Sequence, residues 1–257
     1  MTDVFRSLIM AFSMFSVIPM PRIQWKEENM RYMLAWLPAV GVTAGVLQWG
    51  WLLLCNFLSF GPLLFAAGMT LFPILLTGGI HIDGFSDTVD ALSSHAEPMR
   101  KREILKDPNA GAFAVLYTAG YLLLFAALCT ELPRTLTTAL TLGLHQTAAR
   151  ALGALCSVCF PSASQSGLQY TFRDAASKKV TAYLAVWTVL CMGALCLLSL
   201  PGGIACAAVF LLLFLYLKRV SRRQFGGMSG DLAGYIITLA EFFMLFSYLI
   251  TERIAAL

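Results

Sequence analysis

Charged side chains make up only 12% of the 257 residues, against 58% hydrophobic, and mean hydropathy is +0.74. A soluble domain carries roughly twice that share of charge, so this scarcity excludes one and predicts an integral membrane protein. Long polar connections are also missing on one side of the apolar runs, where Ser59 to Gly61 and Pro201-Gly202 are among the only links; a large external domain is excluded. The net charge of +4 does not read as a nucleic-acid surface, because the basic residues are strung out between apolar segments. No second pair accompanies the single Cys156-x-x-Cys159, and all seven cysteines lie in or at the ends of apolar runs. They are expected to behave as small hydrophobes, without disulfides, zinc or redox chemistry. No small-residue cleavage site follows the first apolar stretch, so a removed signal peptide is not expected. No internal repeat has a clear period.

What is present is a series of apolar runs. Val4 to Ile18 is too short for the roughly 20 residues a span needs, and it reads as an interfacial or half-inserted helix stopped by Pro19 and Pro21. Seven spans are predicted after it, at about 32–57, 62–82, 111–130, 135–159, 180–200, 203–218 and 231–250. The expected fold is therefore an all-α polytopic membrane bundle of about seven spans plus that short helix, forming one catalytic domain over residues 1–257. Basic residues alternate sharply along the connections, and 15 of the 18, including Arg6, Arg31, Lys106, Arg173 and Arg219, fall on one side. The positive-inside rule makes that side cytoplasmic, with the N-terminus there.

The chemistry concentrates in Gly78-Gly79-Ile80-His81-Ile82-Asp83-Gly84-Phe85-Ser86-Asp87-Thr88-Val89-Asp90, directly after an apolar run. On a helix, Asp83, Asp87 and Asp90 fall within an arc of roughly 60°. Three like charges so close repel unless a cation lies between them. Oxygen-only donors favour Mg²⁺, an ion that commonly holds phosphates; the plain alternative is a solvated acidic helix end. On an unbroken helix His81 points about 160° away from Asp83, so it joins the acids only if the helix is distorted near Gly78, Gly79 or Gly84.

Cations for phosphate lie on the same side. Arg100-Lys101-Arg102 and Lys106-Asp107-Pro108-Asn109-Ala110-Gly111 combine bases, a carboxylate and a turn ahead of the next span. Lys218 to Arg223 precede Gly226-Gly227-Met228-Ser229-Gly230-Asp231, a glycine-rich turn opening a helix, suited to an anion. Gly226-Gly227 followed by Asp231 faintly echoes Gly78-Gly79 followed by Asp83. Arg150 lies about 14 Å from the end of its span. A charge at that depth serves either a substrate or a buried salt bridge, with Glu241 as the other buried charge. His145 reads as a packing residue.

The run Gly78 to Leu92 resembles the signature of the cobalamin synthase family, adenosylcobinamide-GDP ribazoletransferases. Arg102 to Asp107 with Gly111 is similar to that family's second block, Gly226 to Asp231 to its C-terminal block, and Ile18-Pro19-Met20-Pro21 to its N-terminal block. The resemblance implies an Mg²⁺-dependent membrane enzyme joining adenosylcobinamide-GDP to α-ribazole or its 5′-phosphate, with release of GMP. A ribose hydroxyl would attack the phosphate attached to cobinamide. Under that reading Asp83 and Asp87 hold the metal, with Asp107 or Asp231 completing its shell. Asp90 or His81 takes the proton, with Lys106 also in a catalytic place. Arg102, Asn109, Gly111, Arg150, Arg222 and Arg223 contact substrate. Ser16-Val17 departs from the Thr-Arg pair expected before Ile18-Pro19, and Arg22 or Arg6 is left to replace that arginine. Oligomeric state stays open, a homo-oligomer included.

Three rivals fit less well. A prenyltransferase needs a second dense acidic block in the other half of the bundle, where the acids ahead of the C-terminal end are only Asp174, Asp231 and Glu241. A CDP-alcohol phosphotransferase has an Ala-Arg pair where Ser86-Asp87 stands. A cation transporter places charges near the midplane of several spans, whereas these acids crowd one face.

Overall fold

The chain's computed structural model describes residues 3–26, 30–164 and 178–257; Arg173 and Asp174 lie outside them. It is an all-α polytopic bundle, with no β-strand among the described residues. The short α1 (Asp3–Phe15) buries Ile9, Met10, Ala11 and Phe15 and leaves Val4 and Phe5 outside. It ends where the Ser16 hydroxyl donates to the Phe12 carbonyl at 2.7 Å and prolines follow. A 3-10 turn (Leu34–Trp36) leads into α2 (Leu37–Phe57), which forms a hairpin with α3 (Pro62–Leu76). Gln48 Nε2 donates to the Met69 carbonyl at 2.7 Å and Trp51 Nε1 to the Phe65 carbonyl at 3.0 Å, so antiparallel neighbours are pinned by side chains that lipid cannot satisfy.

After α3 the chain departs from the expected span 62–82. Gly78 and Gly79 adopt left-handed φ of 62° and 81°, and α4 (Ile80–Ser93) leaves at 93° to α3. Only glycine takes two such positions in succession cheaply. Alone, α3 is about 22 Å long, short of the roughly 30 Å hydrocarbon core. The break thus replaces one straight span by a bent pair.

The remaining helices are α5 (Pro98–Ile104), α6 (Ala112–Thr130), α7 (Leu136–Cys159), α8 (Lys178–Leu198), α9 (Leu200–Phe225) and α10 (Gly230–Ala255). Ser199 breaks α8 from α9, and its hydroxyl accepts from Gly202 N at 3.2 Å. Instead of the seven predicted spans, five helices among the described residues are long and apolar enough to cross a membrane, or six if the bent pair counts as one. Of the predicted set, 135–159 becomes α7, which is long enough but too polar. It lies at the bundle centre with His145, Gln146, Thr147 and Arg150 buried, shielded from lipid by α2, α8 and α10. Small residues permit the close contact: a Cβ on Gly45 would stand 2.5 Å from Gly143 Cα.

Candidate active site

The acids of α4 follow from its amphipathic pattern. His81, Gly84, Phe85, Thr88 and Val89 form the buried face, Asp83 is exposed, and Asp87 and Asp90 are half-buried. The buried face packs on α10 through a glycine crossing. A Cβ on Gly84 would stand 2.7 Å from the Asp231 carbonyl oxygen, and one on Gly234 would stand 2.7 Å from that of His81. Thr238 Oγ1 also donates to the His81 carbonyl at 3.3 Å. This near backbone-to-backbone contact brings Asp231, distant in sequence, beside Asp83.

The crossing borders a cavity of about 670 Å³, within the range of small-molecule sites. Asp83 and Asp231 line it, and Arg102 and Lys106 of the segment around α5 face it from another wall. Its polar rim is stitched together across the chain. Ala163 N donates to the Met228 carbonyl at 3.0 Å, Met228 N to the Pro161 carbonyl at 2.7 Å, and Arg102 Nη1 to the Ala163 carbonyl at 3.1 Å. Gly227 is required there, since a Cβ would meet Ala163 N at 2.4 Å. Ser229 caps α10 by accepting from Leu232 N at 3.3 Å. The lining segments all lie at the end of the bundle where basic residues concentrate.

Four acids act on one another electrostatically. Burial first, then Asp83, Asp231 and Asp90, push the Asp87 carboxyl up to about 6, as expected when like charges share a site. Among the described residues no three Asp, Glu, His or Cys side chains converge at metal-ligand distance. Mg²⁺, however, is usually held by one or two carboxylates with substrate phosphate and water supplying the rest. Two cavity-facing carboxylates beside two cations therefore suit a metal–diphosphate pair better than a bare ion.

The other predicted site residues are placed elsewhere. Asp90 lies against Gly111, and its Oδ1 accepts from Ala114 N at 3.4 Å; it caps α6 and does not line the cavity. Gly111 serves that contact. Asp107 Oδ1 accepts from both the backbone and side-chain nitrogens of Asn109 at 2.9 Å, an exposed turn that occupies both residues. Those hydrogen bonds hold the Asp107 carboxyl below its ordinary value. Arg222 and Arg223 are exposed at the end of α9, and neither lines the cavity, nor does Arg6 or Arg22. Arg150, expected either on substrate or in a salt bridge, takes the second place. It is 1% exposed and donates to Glu241 Oε1 at 2.8 Å and Gln146 Oε1 at 2.6 Å. Tyr121 donates to Glu241 Oε2 at 3.2 Å. With its charge matched inside the bundle, the guanidinium is closed off from a phosphate in the cavity.

His81 does border the cavity. The helix is regular from Ile80 onward, and the distortion lies before it, at Gly78 and Gly79. The cavity wraps the first turn of α4, so Ile80, His81 and Asp83 all meet it despite pointing different ways. Pattern reading missed Phe15, Ser157, Ser162 and Ser164 in the lining. Phe15 sits three residues before the Ile18-Pro19 block, but nothing in its type marks it as a site residue.

A protein-family model described as Cobalamin-5-phosphate synthase matches residues 7–249. A relative from Lachnoclostridium phytofermentans, named adenosylcobinamide-GDP ribazoletransferase, is 36% identical over 249 residues, covering 96% of this chain and 95% of its own. Relatives with the same name from Geobacillus thermodenitrificans, 34% identical with 94% of each chain covered, and Clostridium perfringens, 31% identical with 93% and 95% covered, are also similar. No solved structure matches.

Proposed function

This chain belongs to the cobalamin-5-phosphate synthase family, and from that premise we propose that it is an adenosylcobinamide-GDP ribazoletransferase whose reaction takes place in the cavity between α4, α5 and α10. It joins adenosylcobinamide-GDP to α-ribazole or its 5′-phosphate and releases GMP. The observation that carries this reading is the convergence, in one cavity, of residues from three of the sequence blocks: Asp83, Arg102 with Lys106, and Asp231. The prenyltransferase, CDP-alcohol and transporter readings lose their support with the family membership.

In this reaction a ribose hydroxyl oxygen forms a bond to the phosphorus attached to cobinamide, the bond from that phosphorus to the bridging oxygen breaks, GMP leaves with the electron pair, and the hydroxyl proton is released to water. Phosphoryl transfer needs positioning and charge neutralisation more than covalent help. Asp83 and Asp231 would hold Mg²⁺, which neutralises diphosphate charge when bound. Arg102, oriented by the Ala163 carbonyl, and Lys106 draw the remaining phosphate charge from the opposite wall. Asp87, half-buried beside the pair, strengthens the negative field that attracts the cation. Asp90 positions the start of α6 rather than receiving the proton. The basic excess around the cavity supports a cytoplasmic placement of site and N-terminus in a prokaryotic inner membrane.

The test is direct. Purified protein in detergent, given adenosylcobinamide-GDP, α-ribazole 5′-phosphate and Mg²⁺, is expected to release GMP and form one corrinoid product. Folded protein that releases no GMP overturns the reading.

A further inference from the structure

The cavity is chemically two-sided. The lining from α1, the turn before α2 and the first residue of α2 is Met14, Phe15, Leu34 and Leu37, all apolar, while the segment around α5 adds the charges Arg102, Glu103 and Lys106 to Met99 and Leu105. His81 stands at the join. It is 7% exposed, its Nε2 has no hydrogen-bond partner among the described residues, and its ring stacks on Phe15 with centroids 6.4 Å apart and planes at 26°. His81 borders the cavity, and its Nε2, closed to solvent, is left unpaired at a cost of about 1–3 kcal/mol, which a ligand group reaching it through a small turn of the ring would recover. Resting on the ribazoletransferase reading, the geometry points to this wall as the seat of the attacking ribonucleoside, its base lying against Phe15 and its ribose hydroxyl bonded to His81 Nε2.

Polar satisfaction separates this from the obvious competitor, the guanosine of the donor. Guanine carries donors and acceptors around its edge, and an all-apolar wall would leave them unpaired, which disfavours it strongly. A benzimidazole has no exocyclic polar group and a single ring-nitrogen acceptor, so it loses far less there than guanine does. A hydroxyl both donates and accepts, so it satisfies either tautomer of His81. Placed this way, the ribose lies between the apolar wall and the Asp83–Asp231 edge, where a diphosphate would be held. Phe15 and His81 thereby act in binding the acceptor, and His81 positions its hydroxyl.

Steady-state kinetics and binding test the seat separately from the activity. Phe15→Leu keeps an apolar side chain and removes the aromatic face; His81→Phe keeps the ring and removes the hydrogen bond. Both are expected to raise KM for α-ribazole about tenfold, from the stacking and hydrogen-bond contributions, with KM for adenosylcobinamide-GDP changed by less than about twofold. Calorimetric titration of α-ribazole into the full-length protein, without donor or metal, is expected to show the same weakening, and guanosine is expected not to compete. If the donor's KM rises instead, or guanosine displaces α-ribazole, the wall is the nucleotide's and the inference fails. Unchanged constants in variants that retain wild-type thermal stability also overturn it. Should the wild type bind α-ribazole yet release no GMP, the activity reading fails while the seat stands.

Discussion

At the residue scale, Asp87 carries a cost that a cation would remove. Its carboxyl is raised from 3.8 to about 6 by burial and by Asp83, Asp231 and Asp90. Because the folded state holds the proton more tightly, ionised Asp87 penalises folding above about pH 6, and stability is regained as pH falls from there towards 3.8. Asp87→Asn is therefore expected to melt higher than wild type at pH 7.5 in chelator, with the gap closing as pH approaches 4; a gap independent of pH would count against the repulsion. At pH 7.5, Mg²⁺ is expected to raise the melting temperature of wild type through binding to the native state alone. Asp83→Asn or Asp231→Asn should lose that rise together with turnover. An undiminished rise in both variants would remove these residues from the metal site.

At the scale of elements, the decisive contact is the crossing of α4 and α10. The space for a methyl group at Gly84 is already occupied by the Asp231 backbone, with its Cα 2.9 Å and its carbonyl oxygen 2.7 Å from a Cβ position. Gly84→Ala must push the helices apart, an overpacking cost of about 1–3 kcal/mol, and it separates Asp83 from Asp231. Turnover is expected to fall by more than the loss of stability explains, measured as kcat in protein verified as folded. Gly120→Ala on α6, where nothing lies within 4 Å of the new methyl, is the matched control and should leave kcat unchanged. Equal effects of the two changes would show that the crossing does not set the site.

At the scale of the whole molecule, a buried ion pair ties the centre of the bundle. Arg150 and Glu241 are 1% and 9% exposed at the side chain and bridge α7 to α10. Removing one partner strands the other charge away from water, typically a loss of about 3–5 kcal/mol. Glu241→Gln should thus unfold at markedly lower temperature than wild type. The double change Arg150→Met with Glu241→Met should recover most of the loss, and failure to recover it would mean that the pair is needed for more than charge balance. Orientation is testable at the same scale. Cysteines placed at Lys106 and at Glu131, in a background without native cysteine, are expected to react with an impermeant thiol reagent only from the cytoplasmic and only from the external side, respectively.

Much of this protein is legible without coordinates. Apolar run length and the one-sided distribution of Lys and Arg mark out a polytopic bundle and its basic end, because solvation in lipid and charge placement are properties of composition and order. The Asp-rich run, the Arg102–Lys106 segment and the Gly226–Asp231 turn likewise announce phosphate chemistry by residue type. Pairings between distant segments are not written in that way. Asp90 and Asp107 have the same carboxylate as Asp83, and only packing assigns one to the α6 cap, one to an Asn109 turn and one to the cavity. The 93° break after α3 depends on two glycines taking left-handed backbone conformations that neighbouring helices make worthwhile. Arg150 could equally have met a phosphate until Glu241 was found beside it. The aspartate run that draws attention in the sequence therefore supplies one cavity carboxylate, Asp83, with His81 beside it on the same turn; the partner carboxylate, Asp231, joins them because two glycines let α4 and α10 touch.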